Sequence, residues 1–176
     1  IELNLSCPNV RGSPHIGYDF DATREVVRQV CSARADAQHR FERTIPIGLK
    51  LPAYFTETQF KGVAEVLDDY SSEIAFVTCI NSLGGGFMHA QGDPPYTALL
   101  RVNDGLGAIG GHGIKPFGLA NVRTLHRELP SLPIFGCGGV ATTRDAEEYL
   151  AVGASMVQVG TALAHEGPSV FGRLLG

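Results

Sequence analysis

Short apolar runs alternate with amphipathic stretches along this chain, and the alternation repeats five times. Ile1–Leu5, Ile45–Leu51, Ile74–Cys79, Leu132–Cys137 and Ser155–Val159 have the length and side chains of buried strands. A helix is predicted from Asp21 to about Ala33, with Ala22, Val26 and Val30 on one face. A second runs from about Glu57 to Tyr70, with Phe60, Val63, Ala64 and Leu67 at helical spacing. Pro116 suits the first turn of a third, whose inner face is Gly118, Val122, Leu125 and Leu129. Thr143–Val152 makes a short fourth helix, and a last one follows from Pro168. Strand and helix in strict succession imply parallel strands with helical crossovers. An open doubly wound sheet and a (β/α)8 TIM barrel both fit. Five units are too few to close a barrel, which takes about 250 residues.

Three stretches fall outside the pattern. Ser6–Phe20 reads as a long loop. Arg34–Arg43 is polar and charged and reads as a surface excursion. Asn81–Gly113 is glycine-rich and weakly periodic, and a loop of that length in a compact domain usually carries function.

Composition narrows the classes. With 44% hydrophobic and 18% charged residues, the 176-residue chain is not a disordered tail. A net charge of -4 without a basic stripe argues against a nucleic-acid surface. No apolar run approaches the roughly 18 residues that span a bilayer, so no membrane segment is expected. Ile1 already lies in a strand-like run with no signal or transit segment before it, and the chain is read as a piece of a longer one. Cys7, Cys31, Cys79 and Cys137 form no C-x-x-C pair, and the six histidines show no H-x-x-x-H spacing. Neither a metal site nor a redox dithiol is expected, and the histidines are read as surface or loop residues. The scattered cysteines favour a reducing compartment over two disulfides.

In parallel α/β folds the chemistry sits at the carboxyl ends of strands. After the first strand comes Asn4-Leu5-Ser6-Cys7-Pro8-Asn9. Carboxamides both donate and accept, so they suit a planar ligand with alternating carbonyl and N–H groups. Cys7 between them is either a base or nucleophile, or an inert thiol in an ordinary turn. Lys50 ends the second strand, where it either snorkels to solvent or faces an anionic ligand. Asn81-Ser82 after the third strand adds another carboxamide, and Gly84–Gly86 reads as a hinge for a covering loop. Gly105-Leu106-Gly107-Ala108-Ile109-Gly110-Gly111 resembles a phosphate-binding glycine loop but lacks the setting of a dinucleotide fingerprint. Gly138-Gly139 and Gly160-Thr161 follow the fourth and fifth strands, as in barrels that bind phosphate after their last two strands.

In order along the chain, Glu2–Val10, Tyr18-Asp19-Phe20, Gly48–Pro52, Ile80-Asn81-Ser82, Phe135–Gly139 and Val157–Leu163 resemble the soluble, fumarate-using class 1A dihydroorotate dehydrogenases. The resemblance spans essentially the whole chain. It implies that residues 1–176 are the C-terminal part of one FMN-binding (β/α)8 barrel domain, with about five βα units present. That enzyme oxidises dihydroorotate to orotate in pyrimidine synthesis, with fumarate reoxidising the flavin, in a cytoplasmic homodimer. By position, Cys7 would be the base that takes the C5 proton. Asn4, Asn9, Asn81 and Ser82 would hold the pyrimidine, with Asn4 also near the flavin. Lys50 would contact the N1/O2 edge of the ring, and the Ile80 backbone would touch it. Gly111, Gly138, Gly139, Gly160 and Thr161 would bind the FMN phosphate and its neighbourhood. The chain departs from the family pattern at Ala108, across Met88–Asp104 and at Arg34–Arg43, which looks like an insertion; the family's first strands are not in it. A related FMN dihydropyrimidine-type dehydrogenase and a non-catalytic phosphate-binding barrel fragment are the alternatives.

Overall fold

A computed structural model describes residues 1–6, 15–92 and 96–175. Strand β1 (Glu2–Asn4) leads through a short 3-10 turn (Ile16–Tyr18) into helix α1 (Phe20–Phe41). Strand β2 (Ile47–Lys50), helix α2 (Glu57–Asp69) and strand β3 (Ile74–Cys79) follow. Strands β4 (Leu83–Phe87) and β5 (Leu106–Ile109) come next, then helix α3 (Lys115–Glu128). Strand β6 (Ile134–Cys137), helix α4 (Thr143–Ala151), strand β7 (Met156–Gln158) and helices α5 (Thr161–Glu166) and α6 (Ser169–Leu175) complete the chain.

The main sheet is parallel throughout, in the order β1-β2-β3-β6-β7. Each crossover therefore steps in the same direction. A doubly wound sheet reverses at a switch point; this one does not, which is barrel winding. The barrel is not closed within this chain.

Alternation along the strands separates two faces. Leu49, Val77 and Ile134 are fully buried against the helices, among Val27 and Cys31 of α1, Val63 and Leu67 of α2, and Val122 and Leu125 of α3. Each such aliphatic side chain contributes about 1.5–3 kcal/mol on leaving water. The opposite face carries Glu2, Lys50, Thr78 and Gln158 in one hydrogen-bonded set, and the rings of Phe76 and Phe135 stacked 4.3 Å apart. Gly48 leaves room for Phe76, whose ring a Cβ there would meet at 2.1 Å.

Three expectations are corrected. Arg34–Arg43 is not an excursion: α1 runs on to Phe41 and ends at Glu42 in a left-handed conformation. Its last turns lack an apolar stripe because they are solvated, and Arg34 reaches instead to the Glu73 carbonyl (2.9 Å) and carboxylate (3.1 Å). Asn81–Gly113 is not a plain loop: β4 and β5 pair antiparallel, with a further bridge between His89 and Ala98. Gly84–Gly86, read as a hinge, lies inside β4. Helix α5 was not anticipated before the one that follows Pro168. Cys31, Cys79 and Cys137 are free thiols.

Candidate active site

The strand tips converge on a cavity of about 400 Å³. Lys50, Ile80, Asn81, Ser82, Gly111, Gly138, Gly139, Gly160 and Thr161, all anticipated from sequence, line it. Asn4 joins them at one remove. Its Oδ1 accepts from the Ser6 backbone N–H (3.0 Å) and from Asn81 Nδ2 (3.1 Å). Asn81 also donates to the Ser6 carbonyl, and its own Oδ1 accepts from the Ser82 N–H at 2.9 Å. The two carboxamides are thus locked as a pair between the ends of β1 and β3. Cys7 and Asn9, the expected base and a substrate ligand, lie outside the described residues.

Lys50 crosses the open face of the sheet to donate to Gln158 Oε1 at 3.0 Å. Gln158 in turn donates to the Glu2 carboxylate at 2.7 Å. No ion pair engages Lys50 among the described residues, so its charge stays available to the cavity. Cys79, directly before Ile80, is fully buried; burial pushes its thiol up to about 12, and it stays protonated.

The opposite wall is backbone. Gly111, Gly138 and Gly139 have φ of +74°, +122° and +72°, conformations that favour glycine. A Cβ on Gly139 would come within 2.8 Å of the Lys115 Cβ and 3.0 Å of the Gly111 carbonyl. The turn is braced from behind. Asp145 accepts from the backbone N–H groups of Ala141 (3.0 Å) and Thr142 (2.8 Å), from the Thr142 hydroxyl and from Lys115. Burial alone would raise the Asp145 carboxyl, but these donors outweigh it and hold the group well below the usual carboxylate range. Lys115 also pairs with Glu148.

Sequence reasoning missed several of these residues. His112, His165 and Glu166 also line the cavity; both histidines are exposed, as the sequence reading had them, but neither was tied to the site. No ligand spacing marks them; they arrive because the turns that carry them do. Asp145 had a visible signal, since Thr142 and Asp145 form a capping box at the start of α4.

A cavity of this size, with backbone N–H donors at one end and a cation and amides at the other, fits a phosphorylated, flat, polar ligand. Fold and site together define a segment of a (β/α)8 barrel with its ligand site at the strand tips. A family model described as dihydroorotate dehydrogenase matches residues 1–175, and the chain belongs to that family. It is 42% identical over 174 residues to "Dihydroorotate dehydrogenase (fumarate)" of Trypanosoma brucei brucei, covering 99% of this chain and 52% of the relative. It is 43% identical over 175 residues to the protein of the same name from Trypanosoma cruzi, with the same coverage. The chain thus spans about half the length of the curated relatives it matches. A crystal structure of DHODH from Eimeria tenella in complex with ferulenol superposes with a TM-score of 0.75 at 19% identity, over 98% of this chain and 47% of that one. At that identity the likeness is one of fold.

Proposed function

We propose that this chain is the C-terminal part of a single FMN-binding barrel that oxidises dihydroorotate to orotate in pyrimidine synthesis, with fumarate as the electron acceptor. The observation that carries the reading is the convergence of Lys50, the Asn4–Asn81 pair and the glycine-backbone wall on one strand-tip cavity.

FMN, when bound, supplies the acceptor for the hydride that leaves substrate C6. Gly111, Gly138, Gly139, Gly160 and Thr161 would hold its phosphate end, and the Ile80 backbone its ring. Lys50, tethered by Gln158, would supply the positive charge beside the ring, where a fixed cation would favour negative charge on it without reorganising. Asn4, Asn9, Asn81 and Ser82 hold the pyrimidine, and Cys7 takes the C5 proton. The protein works as a homodimer in the cytoplasm. No helix among the described residues is long and apolar enough to cross a membrane.

The test is anaerobic mixing of the full-length protein with dihydroorotate while the flavin absorbance is followed. The band bleaches, and fumarate restores it. Cys7→Ala keeps FMN but bleaches about 100-fold more slowly, the scale of a lost general base. A protein that binds no flavin, or whose flavin dihydroorotate leaves oxidised, overturns the reading.

A further inference from the structure

Tyr149 points from α4 into the packed seam beneath the β6 turn and is fully buried. Its hydroxyl donates to the Gly138 carbonyl at 2.8 Å and lies 3.2 Å from the Cys137 carbonyl. Two glycines make room for it. A Cβ on Gly118 would come within 1.9 Å of the phenol oxygen, and one on Gly136 within 2.3 Å of the ring. Two positions, on α3 and β6, thus accommodate one side chain of α4. Phenylalanine would satisfy the packing alone, so the hydroxyl asks for its own explanation. Burial pushes the phenol well above its ordinary range, so it remains a donor.

The Cys137 carbonyl already accepts from the Ile80 N–H at 2.9 Å. Of the two carbonyls Gly138 is the nearer, at 2.8 Å against 3.2 Å, and the Tyr149 proton serves it. In a trans peptide the C=O and the following N–H point in opposite directions. Drawing the Gly138 carbonyl down toward α4 turns the Gly139 N–H the other way. Gly139 lines the cavity, and its N–H has no acceptor among the described residues. With glycine on both sides, this peptide meets little steric resistance to flipping, so the chain itself does not select its orientation.

We propose that Tyr149 is a positioning residue for the phosphate end of the bound mononucleotide: its hydroxyl holds the Gly138 carbonyl back and presents the Gly139 N–H to the phosphate. The proposal rests on the flavin reading above and adds a residue to it. It separates the phosphate from the ring, because riboflavin carries the same ring without the phosphate.

The experiment measures the binding of FMN and of riboflavin to the flavin-free full-length protein by quenching of flavin fluorescence. The wild type binds FMN the more tightly. Tyr149→Phe weakens FMN about tenfold, the scale of a buried carbonyl left unsatisfied, and leaves riboflavin unchanged. Where phenylalanine does not give folded protein, 4-methylphenylalanine in place of Tyr149 keeps the volume without the proton and is held to the same result. An FMN-to-riboflavin ratio equal to that of the wild type, whether both affinities hold or both fall together, makes Tyr149 a packing residue and overturns the proposal. A wild type that does not prefer FMN overturns the flavin reading and this proposal with it.

Discussion

Two regions of this molecule are rich in glycine, and glycine does different work in each. At the β6 turn, Gly138 and Gly139 adopt positive φ and leave backbone bare on a cavity wall. In the β4–β5 hairpin, Gly86 and Gly107 make room for neighbouring side chains. A Cβ on Gly86 would come within 2.3 Å of Ile109, and one on Gly107 within 2.4 Å of Leu100. The turn is braced from beneath by Tyr149 and Asp145. The hairpin has one paired edge per strand and exposes Phe87, Met88 and Leu99. Glycine content alone does not separate a ligand cradle from a packing allowance; the neighbours in space do.

The brace offers the largest break in this contrast. Asp145→Ala strips two backbone N–H groups of their acceptor and leaves the nearly buried Lys115 with Glu148 alone, and about 2 kcal/mol of stability is lost, read as a shift in the urea midpoint. The same carboxyl sets a pH dependence. Its folded pKa is depressed, so its contribution is complete above the unfolded carboxyl's pKa of about 4 and is lost as pH falls through the lower folded value. The wild type loses this contribution on acidification, and Asp145→Ala shows a shallower acid limb. A loss under about 1 kcal/mol at pH 7 would remove the brace from the account.

Next comes the turn itself. Gly139→Ala forces a side chain into φ +72° against the Lys115 Cβ and the Gly111 carbonyl. The strain is worth about 2 kcal/mol, and FMN affinity falls while the β4–β5 hairpin is untouched. Thermal melts and flavin titration separate the two effects. The smallest effect belongs to the hairpin. Gly107→Ala meets only the far end of the Leu100 side chain, which is 41% exposed and free to move. Its cost stays under about 1 kcal/mol and FMN binding does not change. A Gly107→Ala protein that lost FMN as Gly139→Ala does would erase the distinction between the two regions.

Much of the site was legible because strand-tip chemistry leaves a local trace. Asn4, Lys50, Asn81, Gly138 and Gly160 each stand at or just after the end of an apolar run, and a parallel sheet gathers such positions at one rim. The hairpin was not legible. Its strands are short and glycine-rich, so alternation is weak, and its partner side chains come from across the turn. The end of α1 was hidden for the opposite reason: a helix wetted on all sides loses the apolar stripe that announces it. Tyr149 was not singled out, because what distinguishes it is a carbonyl eleven residues back.

By itself, the order of residues determined five parallel βα units, which residues stand at their tips, and the resemblance that names the family. These follow from periodicity and local spacing, which the chain carries along its own length. The tertiary structure alone decided that the sheet winds in one direction, that Asn81 locks to Asn4, that Lys50 is tethered to Gln158, and that a buried hydroxyl faces Gly138. Each of these joins residues distant in sequence, and such contacts exist only once the packing of helices on the sheet has set which side chains meet.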